Sequence, residues 1–124
     1  MFKRKILMVE DDQDVLRGLS IRLKASGYSV VSAADAAWVT TVARKEKPDL
    51  VILDLGLPGG DGFLVIERLR VAMDVNIPII VLTARDPAIN KERALNAGAE
   101  AFFLKPVDND ELLAAIQKAL RESS

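Results

Sequence analysis

The chain has 124 residues, with 17 basic against 18 acidic side chains and a net charge of −1. That length suits one ordinary core, so residues 1–124 are expected to form a single domain, and the balanced charge offers no basic stripe for direct nucleic-acid binding. There is no Cys and no His, which excludes disulfides, thiol nucleophiles, imidazole ligands and Ser-His catalysis, and leaves acid-base and metal chemistry to Asp, Glu and Lys.

In chain order, Lys5 to Val9 reads KILMV, a short apolar strand followed at once by Glu10, Asp11 and Asp12. Val15, Leu16, Leu19 and Leu23 recur at helical spacing until Gly27. Tyr28 to Ser32 is a weaker second strand, and Ala36 to Glu46 a second helix with Trp38, Val39 and Val42 expected on one face before Pro48. Leu50 to Leu53 is an unbroken aliphatic run, the pattern of a strand covered on both faces.

That third strand ends on Asp54, and Gly56, Pro58, Gly59, Gly60 and Gly62 follow in a turn-rich loop. Asp61 is placed to cap a third helix over Phe63 to Met73. Ile77 to Leu82 is the fourth strand, with Thr83 just past it. Pro87 to Ala97 is helical by propensity, but its large apolar residues are few beyond Ile89 and Leu95, so weak anchoring is expected. Ala101 to Leu104 is a short fifth strand leading to Lys105-Pro106. Leu112, Leu113, Ile116 and Leu120 stripe the last helix, with a tail expected from Glu122 to Ser124.

Five strands alternating with five helices define an α/β fold, a doubly wound parallel sheet, for which the order 2-1-3-4-5 is common. In such a sheet all the strand ends that carry polar groups lie on one edge. Taken singly, those groups have ordinary explanations: Asp54 as a turn former, Asp12 and its neighbours as helix-start acids, Lys105 as a solvated charge, Thr83 as an end-of-strand residue. Together they are harder to reach by accident. Glu10, Asp11 and Asp54 would crowd three carboxylates into one crevice, where they repel one another unless a cation intervenes. An all-oxygen site of this kind suits Mg²⁺, with a backbone carbonyl such as that of Gly56 to complete it. Lys105 and Thr83 then supply a charge and a hydroxyl for phosphoryl oxygens, and Asp54 a nucleophile.

The runs KILMVED, LDLGLPGGDG, VLTA and AGAEAFFLKP together resemble the receiver domain of bacterial two-component response regulators, over essentially the whole chain. The resemblance implies a flavodoxin-like receiver fold and phosphotransfer to Asp54 from a partner histidine kinase or histidine phosphotransfer protein. It implies Mg²⁺ bound by Asp11, Asp54 and the Gly56 carbonyl, with Glu10 acting mainly through water. It further implies Phe102 as the aromatic switch residue working with Thr83, a cis peptide before Pro106, and Gly56 and Arg85 flanking the approach of water to the acyl phosphate. The chemistry implied is self-phosphotransfer and slow autodephosphorylation, not conventional turnover. The signal is expected to pass to a downstream effector domain or protein through the surface of the fourth helix, fifth strand and fifth helix.

The LDLGLPGGDG loop looks like that of regulators with a winged-helix domain, but Glu100-Ala101 and AAIQKAL depart from their dimer-forming charge pattern. A monomer or weak dimer is therefore expected. A single-domain regulator and a receiver cut from a longer protein both remain open. No apolar run approaches the roughly 20 residues of a membrane helix and no signal-peptide pattern opens the chain, so the expected location is cytoplasmic and away from membranes.

Three other classes compete less well. Aspartyl-phosphate phosphohydrolases resemble DxD at the nucleophile, and the second acid is here Gly56. A flavin module needs a hydroxyl-rich phosphate loop after the first strand, where this chain has EDDQD. An interaction domain that is never phosphorylated would have no use for the full set of Glu10, Asp11, Asp54, Thr83 and Lys105.

Overall fold

The aliphatic runs Leu50–Leu53 and Ile79–Leu82 have no polar side to turn to water, so both must be covered on two faces. The computed structural model, which describes residues 3–57, 61–73 and 76–123, does this with helices on both sides of a parallel sheet. The elements are β1 (Lys5–Val9), α1 (Gln13–Ala25), β2 (Ser29–Ala33), α2 (Ala36–Glu46), β3 (Leu50–Leu53), α3 (Gly62–Ala72), β4 (Ile79–Thr83), α4 (Pro87–Asn96), β5 (Ala101–Leu104) and α5 (Asn109–Ser123). The strand order is β2-β1-β3-β4-β5, all pairs parallel. This is the doubly wound arrangement expected from the sequence.

Strand side chains alternate between the two faces. Ile6, Met8, Leu50, Ile52, Ile80 and Leu82 pack with Leu19 and Leu23 of α1 and Leu112 and Ile116 of α5. Leu7, Val9, Val51, Leu53, Ile79 and Val81 pack on the other face with residues of α2, α3 and α4, among them Val39, Ala43, Ile66, Leu69 and Ala94. Each helix begins on an aspartate whose carboxylate accepts backbone N–H groups of the first turn: Asp12, Asp35, Asp61, Asp86 and Asp108. These satisfy donors that a helix start leaves without partners.

Three expectations change. Trp38 is 63 % exposed, and the buried face of α2 is Ala36, Val39 and Ala43. The buried face of α2 is centred on Val39 and Ala43, and Trp38, about 100° round the helix from Val39, falls on the exposed side. Ile89 and Leu95 do not anchor α4, being 75 % and 40 % exposed; its buried residue is Ala94. α5 continues to Ser123, past the expected start of the tail at Glu122. Pro58, Gly59 and Gly60 of the turn-rich loop, and Ser124, lie outside the described residues.

Gly62 opens α3 against the backbone that leaves β3. A Cβ there would meet Leu55 Cα at 2.5 Å and the Leu55 carbonyl oxygen at 2.8 Å, closer than any side chain tolerates. Gly18, in the middle of α1, has nothing within 4 Å of such an atom. Gly62→Ala should therefore lower the stability by about 1–3 kcal/mol through overpacking. Gly18→Ala should raise it by about 1 kcal/mol through helix propensity. Urea midpoints at constant slope measure both.

Candidate functional site

Glu10, Asp54 and Lys105 each follow the last residue of a strand, and the ladder carries them to one edge. Glu10 donates its N–H to the Ala33 carbonyl (3.1 Å), Asp54 to Val9 (3.0 Å) and Lys105 to Thr83 (2.8 Å). Because β1 and β3 are neighbours while their helices go to opposite faces, Glu10 and Asp54 meet where the winding direction reverses, the usual ligand edge of such sheets. Glu10, Asp54 and Thr83 are the buried polar side chains among the described residues, exposed 2 %, 8 % and 0 %.

Lys105 is the hub. Its Nζ lies 2.6 Å from Glu10 Oε1 and 2.9 Å from Asp54 Oδ2. The other Asp54 oxygen, Oδ1, accepts the Gly56 N–H at 3.0 Å, and Glu10 Oε2 accepts the Asp12 N–H at 3.2 Å. Carboxylate oxygens of Glu10, Asp11 and Asp54 all lie within 4.8 Å of one another. Three carboxylates and one ammonium leave a formal charge of −2 in a site where Glu10 and Asp54 are buried, Lys105 is partly buried and Asp11 is exposed. This all-oxygen donor set and its uncompensated charge fit one hard divalent cation.

Burial raises the pKa of Glu10, only partly offset by Lys105 and the Asp12 N–H. Burial acts in the same sense on Asp54, but the Gly56 N–H, the Lys105 ammonium and the Thr83 hydroxyl together outweigh it. The Asp54 carboxyl is thus held below its ordinary value. Lys105 is pushed the opposite way to its own desolvation, upward, by Glu10 and Asp54. Asp54 is therefore an ionised carboxylate, and Lys105 an ammonium, throughout the neutral range.

The edge also brings Gly56 and Arg85 close: a Cβ at Gly56 would sit 3.6 Å from Asp54 Oδ1 and 4.0 Å from Arg85 Nε. Thr83 Oγ1 accepts the Arg85 N–H at 3.3 Å. Phe102 does not join the cluster; it is half-buried on the α2–α3–α4 face. The Lys105–Pro106 peptide is cis. The Asp12 N–H that orients Glu10 was not legible beforehand, because a backbone donor leaves no mark in a side-chain pattern.

A doubly wound sheet with a carboxylate cluster and a lysine at its switch point places the chain in the class of flavodoxin-like α/β domains with an acidic site at the ligand edge. The model of the response regulator receiver domain matches residues 6–117, and the chain belongs to that family. The Mycobacterium tuberculosis transcriptional regulatory protein KdpE is 40 % identical over 119 residues, covering 96 % of this chain and 52 % of that protein. The Bacillus subtilis alkaline phosphatase synthesis transcriptional regulatory protein PhoP is 38 % identical over 120 residues, covering 97 % and 50 %. The chain thus spans about half the length of the curated relatives it matches. Among solved structures, a CheY-like receiver domain protein of Methanospirillum hungatei superposes with a TM-score of 0.90 at 29 % identity, covering 98 % and 97 % of the two chains. The BeF3-activated N-terminal receiver domain of Klebsiella pneumoniae RstA gives 0.88 at 36 %, covering 95 % and 99 %. No helix among the described residues is long and apolar enough to cross a membrane.

Replacing Lys105 with Met removes the one cation from the buried pair and leaves two like charges facing each other. At neutral pH the variant should lose on the order of 3 kcal/mol of stability. Without the ammonium, burial and mutual repulsion raise both carboxyl pKa values above their unfolded values. The loss should therefore be full above that range and shrink as pH falls and the pair takes up a proton. Urea unfolding at several pH values checks both the size and the sign.

Proposed function

We propose that this domain is the phosphoacceptor of a two-component system, taking a phosphoryl group onto Asp54 from a phosphohistidine of a partner kinase or histidine phosphotransfer protein. The observation that carries this reading is the ionised Asp54 carboxylate set 2.9 Å from Lys105 Nζ, with the oxygens of Glu10 and Asp11 alongside. An oxygen of Asp54 attacks phosphorus, the P–N bond breaks, and its electron pair returns to the imidazole ring of the donor. Lys105 draws off charge from the phosphoryl oxygens, an ammonium having a third donor beyond those given to Glu10 and Asp54. The Thr83 hydroxyl, which accepts the Arg85 N–H and turns its own proton to Asp54, would redirect that proton to a phosphoryl oxygen. Asp11 and Asp54, with Glu10 behind them and the Gly56 carbonyl, would hold Mg²⁺, which supplies charge neutralisation and orientation for the transferring group.

A cleft of about 410 Å³ opens beside Lys105 between Val15 and Leu19 of α1, Leu82 and Val107, apolar side chains that a partner would meet next to the site. In the phosphorylated state, Thr83 moving toward the phosphoryl group would let Phe102 shift inward and reshape the α4–β5–α5 face for a downstream effector domain or protein. Relatives named as transcriptional regulators favour such an output. The departures at Glu100-Ala101 and in α5 favour a monomer or weak dimer and a different partner over a second copy.

Incubation with acetyl phosphate and Mg²⁺ should label Asp54, and Asp54→Asn should abolish the label by mass spectrometry. Label of equal intensity on the Asn variant would overturn the assignment. The phosphorylated form should persist for minutes or longer, because Gly56 has no side chain to align water behind the acyl phosphate. Gly56→Asn, which has room at ordinary van der Waals distance, should change the decay rate without changing stability beyond about 0.5 kcal/mol. Decay within seconds in the parent would end this account of turnover.

A further inference from the structure

Helix α4 keeps its place with almost no hydrophobic anchor. Its buried residue is Ala94, and alanine removes little apolar area from water. What joins α4 to α3 is instead a pair of arginines reaching in opposite directions. Arg93 of α4 lies over the Phe63 ring of α3, 3.8 Å from its centroid, with Nη2 3.9 Å from Asp61 Oδ2. Phe63 is 5 % exposed and part of the core, so its ring is a fixed platform. Arg70 of α3 donates from Nη1 to the Ile77 carbonyl at 2.5 Å and from Nη2 to the Gly98 carbonyl at 2.8 Å.

Gly98 closes α4 with φ +109°, and the Ala99 N–H returns to the Ala94 carbonyl at 3.0 Å. A Cβ at Gly98 would stand 3.4 Å from Arg70 Nε. Glycine thus serves the left-handed turn and the approach of the guanidinium at once. The two contacts differ in permanence. Arg70 is partly buried and makes two charge-assisted hydrogen bonds to backbone, whereas Arg93 is 62 % exposed and its ion pair is long.

We propose that Arg70 and Arg93 form a clasp that sets the position of α4 on α3, and that Arg93 is the half that opens. Its platform is residues 61–63, where the segment leaving Asp54 enters α3. The clasp therefore links α4 to that segment through one stacked or unstacked side chain. This link does not depend on the phosphoryl reading, and its test uses no phosphodonor.

The test is amide hydrogen exchange by mass spectrometry on the full chain. Arg93→Ala should speed exchange of amides in Pro87–Asn96 by about two- to fivefold, the size of an exposed cation–π contact. It should leave α1 and α5 at the parent rate. Alanine is the better helix former, so a gain in exchange cannot come from lost propensity. Lys91→Ala, which removes a charge from an exposed position of the same helix, should leave the α4 rates unchanged. Arg93→Lys, which keeps the charge and loses the planar stack, should exchange faster than the parent. An Arg93→Ala variant with the parent's α4 rates, a rise spread evenly over the domain, or an equal rise in Lys91→Ala would each overturn the clasp. So would parent rates in Arg93→Lys.

Discussion

The Lys105 ammonium, held between Glu10 and Asp54, is the interaction on which the arrangement of this domain turns. Two carboxylates exposed 2 % and 8 % cannot both stay charged beside each other without it. Its placement needs the sheet to be complete, since Glu10 leaves β1, Asp54 leaves β3 and Lys105 leaves the edge strand β5. The charge cluster is thus stabilised by a fold whose hydrophobic burial is large enough to bear it. Its remaining formal charge of −2 suits a divalent cation.

The rest of the molecule divides into helices anchored by apolar burial and one, α4, that is not. α3 buries Phe63, Val65, Ile66 and Leu69, and α5 buries Leu112, Ile116, Ala119 and Leu120. α4 buries Ala94 and depends on polar and cation–π contacts with its neighbour. Contacts of this second kind are individually small and can break without opening the core. A helix that was as apolar as α3 in this position would fix the surface.

Much of this was legible in the chain. Asp54 could be singled out because an aliphatic run of four residues stops on a carboxylate, and Asp61 because a helix start needs an acceptor. Other details were not. Trp38 and Val39 are adjacent and both apolar, and only the orientation of α2 on the sheet decides that one is buried and the other exposed. Ile89 and Leu95 look like anchors in the sequence, but α4 is rotated to put Ala94 inward. Nothing in the chain singles out Arg70 or Arg93, since their partners are a backbone carbonyl 28 residues away and a ring 30 residues away.

The sequence by itself determined the order of strands and helices, the residues at each strand end and the kind of chemistry they can do, because these depend on local periodicity and side-chain type. Only the tertiary structure decided that Lys105 neutralises Glu10 as well as Asp54, that Gly56 lends its N–H to Asp54, and that an arginine clasp holds α4. Those contacts join residues brought together by packing across the sheet, or use backbone groups common to every residue type. Neither is written in the identity of neighbouring residues.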